Sequence, residues 1–114
     1  MGEDRVDLGV KRFDVFLIDP GRTQGKEIKK TRPYLVISPD EMNRHLKTFI
    51  VAPMTTQTRS YPMRVQCQFQ GKRGQVVLDQ IRTVDRSRLV QKLGSLSPSS
   101  GRRVLEMLAD IFAP

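Results

Sequence analysis

Hydrophobic and polar positions alternate over several short stretches of the chain, and this pattern predicts a mainly β fold. The clearest alternation lies at residues 63 to 70, whose apolar members are Met63, Val65, Cys67 and Phe69. A period of two predicts a half-buried antiparallel strand, with Cys67 on its inner face as a core residue. The following residues, 71 to 74, predict a hairpin turn into a strand at residues 75 to 78.

Other β-rich runs end at proline or glycine residues, which are typical of turns. The predicted strands cover residues 13 to 18, 34 to 37, 48 to 52 and 89 to 93. The first run has apolar residues on both faces, as in a strand that is covered on both sides. Because the chain has only seven aromatic residues, Phe16 and Tyr34 are expected in the core. Residues 41 to 46 predict one helical turn.

Only the C-terminal segment has helical periodicity. Its apolar residues on one face are Val104, Leu105, Leu108, Ile111 and Phe112. Ser97 is predicted as the N-cap and Pro98 as the first helical residue, and the apolar face is expected to pack on the sheet. Short strands with one terminal helix predict a small barrel, SH3-like or OB-like, because closure hides the edges of a short sheet.

The charge of the chain narrows the choice of partners. Its 114 residues include 20 Lys plus Arg and 12 Asp plus Glu, which gives a net charge of +8 and a pI near 10.3. A small domain with this charge attracts polyanions, so nucleic acid, an acidic membrane and an acidic protein remain candidates. No apolar run reaches the ~20 residues of a membrane span, and the chain is expected to act in the cytoplasm.

Cysteine and histidine are too scarce for disulfide and zinc chemistry, because Cys67 and His45 are the single members of their types. His45 falls in a polar stretch and is expected at the surface. A hydrophobic content of 38% with no Trp leaves little room for a large organic cofactor. We therefore expect no metal and no cofactor, with residues 1 to 11 as a flexible leader and residues 12 to 114 as a single domain.

Basic residues concentrate in three segments that the fold can bring together. Residues 20 to 32 contain Arg22, Lys26, Lys29, Lys30 and Arg32 against a single acid, Glu27. Residues 57 to 73 carry four cations and no acid, and residues 82 to 92 carry four cations and one acid. Such loops at one end of a barrel predict a groove for a phosphate backbone. Any of Phe16, Tyr34 and Tyr61 that is exposed offers a base-stacking surface.

Four runs of the chain carry a more specific signal. They are Asp14-Val15-Phe16-Leu17-Ile18-Asp19-Pro20, Lys30-Thr31-Arg32-Pro33-Tyr34-Leu35-Val36-Ile37-Ser38-Pro39-Asp40, Ile50-Val51-Ala52-Pro53-Met54-Thr55-Thr56 and Leu78-Asp79-Gln80-Ile81-Arg82-Thr83-Val84-Asp85. In these motifs, and over residues 12 to 112, the sequence resembles the MazF/PemK/Kid family of toxin endoribonucleases. The resemblance implies an SH3-like barrel of the CcdB/PemK type, a two-fold homodimer, and single-stranded RNA lying across the dimer groove.

The resemblance also implies a reaction and its residues. The ribose 2′-OH attacks the neighbouring phosphate without a metal ion, leaving a 2′,3′-cyclic phosphate and a 5′-OH. By motif position, the family's catalytic arginine and threonine fall on Arg32 and Thr55. Glu27 matches the acid of the family's Gly-x-Glu loop, as the candidate to take the 2′-OH proton or to orient Arg32. Lys26 and Val77 stand where some relatives have His and Arg, which favours the arginine-threonine scheme.

The RNA-binding candidates share a place in the basic loops or in the family's Asp-Gln motif. They are Lys26, Lys29, Lys30, Thr56, Arg59, Asp79, Gln80 and Arg82. For Arg82, an ion pair with Asp85 or Asp79 inside the barrel is an equal alternative.

Two functional hypotheses follow. The first is a sequence-specific toxin endoribonuclease that inhibits translation and growth, restrained by an acidic, MazE-like antitoxin whose disordered tail occupies the basic groove. Promoter DNA would then be bound only through the toxin-antitoxin complex. The alternative is a non-catalytic module of the same fold, either a silent RNA-binding barrel or a CcdB-like gyrase inhibitor. The presence of Arg32, Thr55 and Glu27 favours the enzyme.

Overall fold

An antiparallel sheet forms the body of the protein, and a helix follows its last strand. In a computed structural model of the chain, the described residues are 9 to 21 and 30 to 114. The strands are β1 (Asp14–Ile18), β2 (Arg32–Val36), β3 (Thr48–Thr55), β4 (Arg64–Phe69), β5 (Lys72–Val77), β6 (Arg82–Asp85) and β7 (Leu89–Ser95). Helix α1 (Asp40–His45) connects β2 to β3, and helix α2 (Pro98–Phe112) follows β7. Two 3₁₀ turns, Leu78–Gln80 and Arg86–Arg88, flank β6.

The strands lie in the order β4-β5-β3-β2-β1-β7, and β6 pairs with the first half of β3. The two ends of this order approach each other, because the Gln70 Nε2 donates a hydrogen bond to the Leu93 carbonyl oxygen at 2.9 Å. No backbone ladder joins β4 to β7 in the described part of the chain, so the sheet curls without closing. The mainly β fold with a C-terminal helix is therefore confirmed, and the closed barrel is corrected to an open one.

Strand β3 is longer than its sequence pattern predicts. It continues through Pro53 to Thr55, whereas the pattern predicts an end at residue 52. Its residues 48 to 51 pair with β6, and Met54 and Thr55 pair with β5. Both strands lie on the same edge of β3, and Pro53 falls between the residues that pair with β6 and those that pair with β5. Because Pro53 pairs with neither of these strands, its missing N–H interrupts no ladder on that edge.

The β4-β5 hairpin turns earlier than predicted. Gln70 and Gly71 form the turn, with φ of 53° and 77°, and Phe69 pairs with Lys72 across it. Two successive residues in the left-handed region are typical of a two-residue hairpin turn, which favours glycine at the second position. Lys72 and Arg73, which the sequence places in the turn, therefore belong to β5.

Two apolar clusters fill the space on the faces of the sheet. The larger includes Val15, Leu35, Ala52, Cys67 and Val76, and the smaller includes Phe16, Tyr34 and Phe49. Phe16, Tyr34 and Cys67 are thus confirmed as core residues. Met63 is 39% exposed and precedes β4, so its predicted inward position is wrong. The strand pattern did not predict β6, because a strand with Val84 as its one buried residue shows no alternation.

Helix α2 begins as predicted. The Ser97 Oγ accepts a hydrogen bond from the Ser100 N–H, and Pro98 is the first helical residue, which confirms the N-cap. Val104 is fully buried, and Leu108 and Ile111 pack against the larger cluster. Phe112 is 70% exposed at the last position of the helix, so its predicted packing is wrong. Neither helix of the described part is long and apolar enough to cross a membrane.

The residues just before β1 are attached to the core. Val10 is buried in the smaller cluster, and the Lys11 N–H donates to the Asp14 carboxylate at 2.8 Å. Residues 1 to 8 of the predicted leader lie outside the described part, so the division of the chain into leader and domain stays a prediction.

Candidate active site

A groove of about 460 Å³ opens beside the end of β3. Its polar and charged lining includes Arg32, Thr55, Thr56, Gln57, Lys72 and Arg73. Pro33, Met54 and Phe69 contribute apolar surface to the same groove. Three cations on one concave surface attract an anion such as a phosphate. The neighbouring strands β2 and β3 thus bring the two predicted catalytic residues, Arg32 and Thr55, into one groove.

Arg32 presents its guanidinium group from the first position of β2. Its backbone pairs with Ile18 of β1, and the residue is half-buried. The Nε atom is buried and has no hydrogen-bond acceptor among the described residues. Because buried N–H groups are normally hydrogen-bonded, this side chain is suited to bind an oxygen anion in the groove.

Tyr34 lies close to two arginines but belongs to the core. The residue is 1% exposed, and burial raises the pKa of its hydroxyl. The positive charges of Arg82 and Arg32 lower the same pKa by less. Since an ordinary tyrosine pKa is already ~10, the hydroxyl stays protonated at neutral pH and offers no base to the groove.

Thr55 stands at the last position of β3. Its Oγ1 accepts a hydrogen bond from the Gln57 N–H at 3.1 Å. A hydroxyl that accepts this bond keeps its own O–H for donation. Thr55 is therefore able to donate one hydrogen bond to an anion in the groove.

Gly74 allows β5 to approach the end of β3. A Cβ atom at this position would lie 2.5 Å from the backbone oxygen of Thr55. Such a distance is a clash with backbone, which cannot rotate away as a flexible side chain can. The absence of a side chain at Gly74 thus helps to set the position of Thr55.

We expect Gly74→Ala to lower the free energy of unfolding by about 1–3 kcal/mol, the scale of an overpacked site. The added methyl group must push β5 or the end of β3 out of place. Urea unfolding followed by circular dichroism measures the loss. Gly9→Ala is the matched control, because no described residue other than the chain neighbours of Gly9 lies within 4 Å of the added Cβ there. Equal stability of the two variants would contradict a close approach at Gly74.

The segment between β3 and β4 is tied to β5 by a buried amide. The Gln75 Oε1 accepts from the Arg59 N–H at 3.1 Å, and the Gln75 Nε2 donates to the Arg59 carbonyl oxygen at 2.6 Å. Gln75 is 1% exposed, whereas Arg59 lies at the surface. The backbone of this predicted RNA-binding arginine is therefore held at both of its polar groups.

Asp79 lies outside the lining of the groove, in the 3₁₀ turn that follows β5. Its carboxylate binds the Arg64 guanidinium through two hydrogen bonds, at 3.1 and 3.3 Å. The same guanidinium lies over the Tyr61 ring, 4.5 Å from the ring centroid, and Tyr61 is 53% exposed. Asp79 thus pairs with Arg64 and not with Arg82. Tyr61 is exposed, as base stacking on it requires.

The other RNA-binding candidates are spread over several places. Thr56 lines the groove, Lys30 is exposed just before β2, and Gln80 ends the 3₁₀ turn that follows β5. Arg82 borders a separate cavity of about 450 Å³ together with Arg88. Lys26, Lys29 and Glu27 lie outside the described residues, so their roles stay predictions.

The sequence pattern does not single out three residues that matter to this region. Lys72 and Arg73 line the groove, but the predicted turn at residues 71 to 74 placed them outside the sheet. The signal available was their position in the basic segment 57 to 73. Gln75 is missed because its burial depends on Arg59, whose approach no local pattern reveals.

The single cysteine and the single histidine behave as predicted from their surroundings. Cys67 is 7% exposed, and burial raises the pKa of its thiol more than the charge of Arg103 lowers it. A thiol with a raised pKa stays protonated and reacts slowly. His45 is exposed on α1. Within residues 9 to 21 and 30 to 114, no group of three or more His, Cys, Asp or Glu is placed to hold a metal ion.

Known proteins resemble this chain in sequence. The family model described as PemK-like, MazF-like toxin of type II toxin-antitoxin system matches residues 11 to 112. The chain is also 35% identical over 105 residues to Endoribonuclease EndoA of Bacillus subtilis (strain 168). That match covers 87% of this chain and 90% of EndoA.

Solved structures resemble the chain in fold. A crystal structure of MazF from Deinococcus radiodurans superposes with a TM-score of 0.79 and 25% identity, covering 90% of this chain and 94% of that one. An endoribonuclease from a mycobacterial species, in complex with its cognate antitoxin, superposes with a TM-score of 0.78 and 25% identity. This second match covers 92% of this chain and 97% of that one.

Proposed function

This chain belongs to the PemK-like, MazF-like toxins of type II toxin-antitoxin systems and is an endoribonuclease, and we propose that it cuts single-stranded RNA without a metal ion. The observation that carries the proposal is the groove in which Arg32 and Thr55 meet beside Lys72 and Arg73. An arginine fork, a hydroxyl donor and two further cations are suitable groups to surround a reacting phosphodiester.

The proposed substrate is an extended RNA strand that passes over this groove. A net charge of +8 favours its phosphates, because their neutralisation releases condensed counterions. Tyr61 is exposed, and in this proposal an unpaired base stacks on the ring face that the Arg64 guanidinium does not cover, which a base inside a duplex cannot do. Sequence preference in this proposal arises from the segments at residues 20 to 30, just before Arg32, and 54 to 62, which contain Thr55.

In the proposed reaction, the RNA supplies its own nucleophile. The ribose 2′-oxygen bonds to the adjacent phosphorus, and the bond from phosphorus to the 5′-oxygen breaks. The 2′-OH proton passes to a base, for which Glu27 remains the predicted candidate, and the 5′-oxygen takes up a proton as it leaves. The products are a 2′,3′-cyclic phosphate and a 5′-OH.

The two groove residues have different parts in this reaction. Arg32 binds two phosphate oxygens at once and stabilises the negative charge that grows on the pentacovalent phosphorus. Thr55 donates one further hydrogen bond to the same oxygens. An electrostatic part suits Arg32 better than proton transfer, because an arginine with a pKa above ~12 is a poor base in water.

We place this activity in the cytoplasm, under the control of an acidic, MazE-like antitoxin. The solved mycobacterial relative is an endoribonuclease held by its cognate antitoxin, which supports a protein partner of this kind. Acidic residues of the antitoxin would compete with RNA for Lys72, Arg73 and Arg32 in the groove. In the same proposal the toxin is a homodimer, and promoter DNA is bound only through the toxin-antitoxin complex.

Incubation of the purified protein with a mixed RNA in EDTA tests this proposal. We expect cleavage at a limited set of sites, because the chemistry assigned to Arg32 and Thr55 needs no divalent ion. The new 5′ ends are expected to accept a label from polynucleotide kinase without phosphatase treatment, as a 5′-OH does. The new 3′ ends are expected to resist ligation until the cyclic phosphate is removed.

An RNA with a 2′-O-methyl group at the cleavage position is the matched control and is expected to stay intact. Intact natural RNA at every protein concentration would refute the proposed cleavage and leave the non-catalytic alternative. Products with 5′-phosphate and 3′-OH ends would refute the attack by the 2′-OH. A requirement for Mg²⁺ would refute the metal-independent reaction.

A further inference from the structure

Gln75 connects the end of β3 to the segment that follows it through both its backbone and its side chain. Its own backbone pairs with Thr55, the last residue of β3. Its side chain binds the N–H and the carbonyl oxygen of Arg59, four positions further along. The side-chain amide of Gln75 therefore pairs with the backbone of a residue that is not in a strand. Through Gln75, Arg59 is held at a fixed position relative to Thr55.

The surroundings of Gln75 show that packing does not require a polar residue here. Val76 and Val77 follow it in β5, and both are fully buried or nearly so. A buried amide that loses its partners carries a desolvation cost, whereas an apolar side chain carries none. The backbone of Arg59 supplies both hydrogen bonds of the Gln75 amide. A shift of that backbone would leave the Gln75 Oε1 and Nε2 atoms without these bonds. The segment at Arg59 is thereby held against β5.

We propose that Gln75 is a positioning residue for RNA binding, which acts by holding Arg59 beside the groove; this inference rests on the proposed function. Arg59 lies two positions after Gln57, which lines the groove, and it is exposed and cationic. A phosphate contact from a fixed backbone costs less conformational entropy than one from a mobile loop. Loss of Gln75 therefore weakens RNA binding while the chemistry at Thr55 continues.

Gln75→Met tests the proposal, because methionine has nearly the same size and makes neither hydrogen bond. We expect KM for a short single-site RNA to rise on the order of tenfold, with kcat changed by less than about twofold. In an Arg59→Ala background the same substitution is expected to raise KM by less than about twofold, because the residue that Gln75 positions has been removed. Gln68→Met, at an exposed position of β4, is the matched control and is expected to change neither constant.

A second measurement uses the unmodified protein and does not depend on the folding of a variant. The Arg59 amide is expected to exchange its hydrogen with solvent at least about tenfold more slowly than the amides of Thr58 and Ser60. Equally fast exchange at the three positions would overturn the proposal.

The kinetic measurements also test the positioning role of Gln75. An unchanged KM in a folded Gln75→Met protein, a fall in kcat alone, or an equal increase in KM in both backgrounds would each overturn the positioning role. Failure of the unmodified protein to cut RNA would instead overturn the proposed function, and it would be seen before any variant is compared.

Discussion

Arg32→Ala is expected to reduce RNA cleavage by about 10³-fold or more while the protein remains folded. The side chain is half-buried at the start of β2 and lies outside both apolar clusters, so its truncation leaves the core intact. The loss is expected mainly in kcat, because the part proposed for the guanidinium group is to stabilise charge that develops in the transition state. Single-turnover cleavage of an end-labelled RNA with one site measures the effect.

Two further variants separate the geometry of this side chain from its charge. Arg32→Lys keeps the charge but not the planar fork, and we expect it to restore only a small part of the activity. Arg102→Ala removes an exposed cation from α2, away from the groove, and is expected to cleave RNA as the unmodified protein does. Full activity in Arg32→Ala would refute the role assigned to this residue.

Thr55→Val is expected to reduce cleavage by about 10²-fold or more, the scale of one lost donor to a transition-state oxyanion. Valine has nearly the same shape as threonine, so the pairing of this position with Gln75 on β5 is expected to persist. The variant loses the hydroxyl that accepts from the Gln57 N–H and that we propose donates to the phosphate. Single-turnover rates, with circular dichroism as the measure of folding, test this expectation.

Thr55→Ser is the matched control, since it keeps the hydroxyl and loses only the methyl group. We expect it to cleave RNA within about tenfold of the unmodified rate. Comparable loss in the serine and valine variants would show that the hydroxyl alone does not account for the effect of Thr55. Activity of Thr55→Val equal to that of the unmodified protein would remove Thr55 from the mechanism.

Features of the fold that depend on neighbouring residues in the chain were predictable. The N-cap at Ser97 and the helix that follows Pro98 are local signals, and the structure confirms both. The alternation around Cys67 likewise predicts β4, because a period of two already determines which residues face inward.

Features that depend on distant partners were not predictable in the same way. A proline ends most strand patterns, yet β3 passes through Pro53 because the edge changes from one partner strand to another there. The same limit applies to Gln75, whose polar side chain in an apolar run makes sense only when the backbone of Arg59 lies against it.

The candidate site followed from the motifs more than from composition. With 20 Lys plus Arg in the chain, charge alone gives no reason to choose Arg32 over any other cation. The family motifs point to Arg32 and Thr55, and the structure places the two side chains in one groove. Lys72 and Arg73 join them because the turn at Gln70 and Gly71 ends early enough to leave both cations in β5.

The ends of the sheet, at β4 and β7, are joined by side chains and not by a backbone ladder in the described part of the chain. Gln70 lines the groove, and its hydrogen bond to Leu93 is where the ends of the sheet meet. One such bond contributes about 1 kcal/mol, far less than a row of backbone pairs. Phe69 at the end of β4 also lies against Gly94 of β7, where an added Cβ would be 3.2 Å from its ring. Side-chain contacts therefore hold this wall of the groove, and they can rearrange without the loss of a backbone pair.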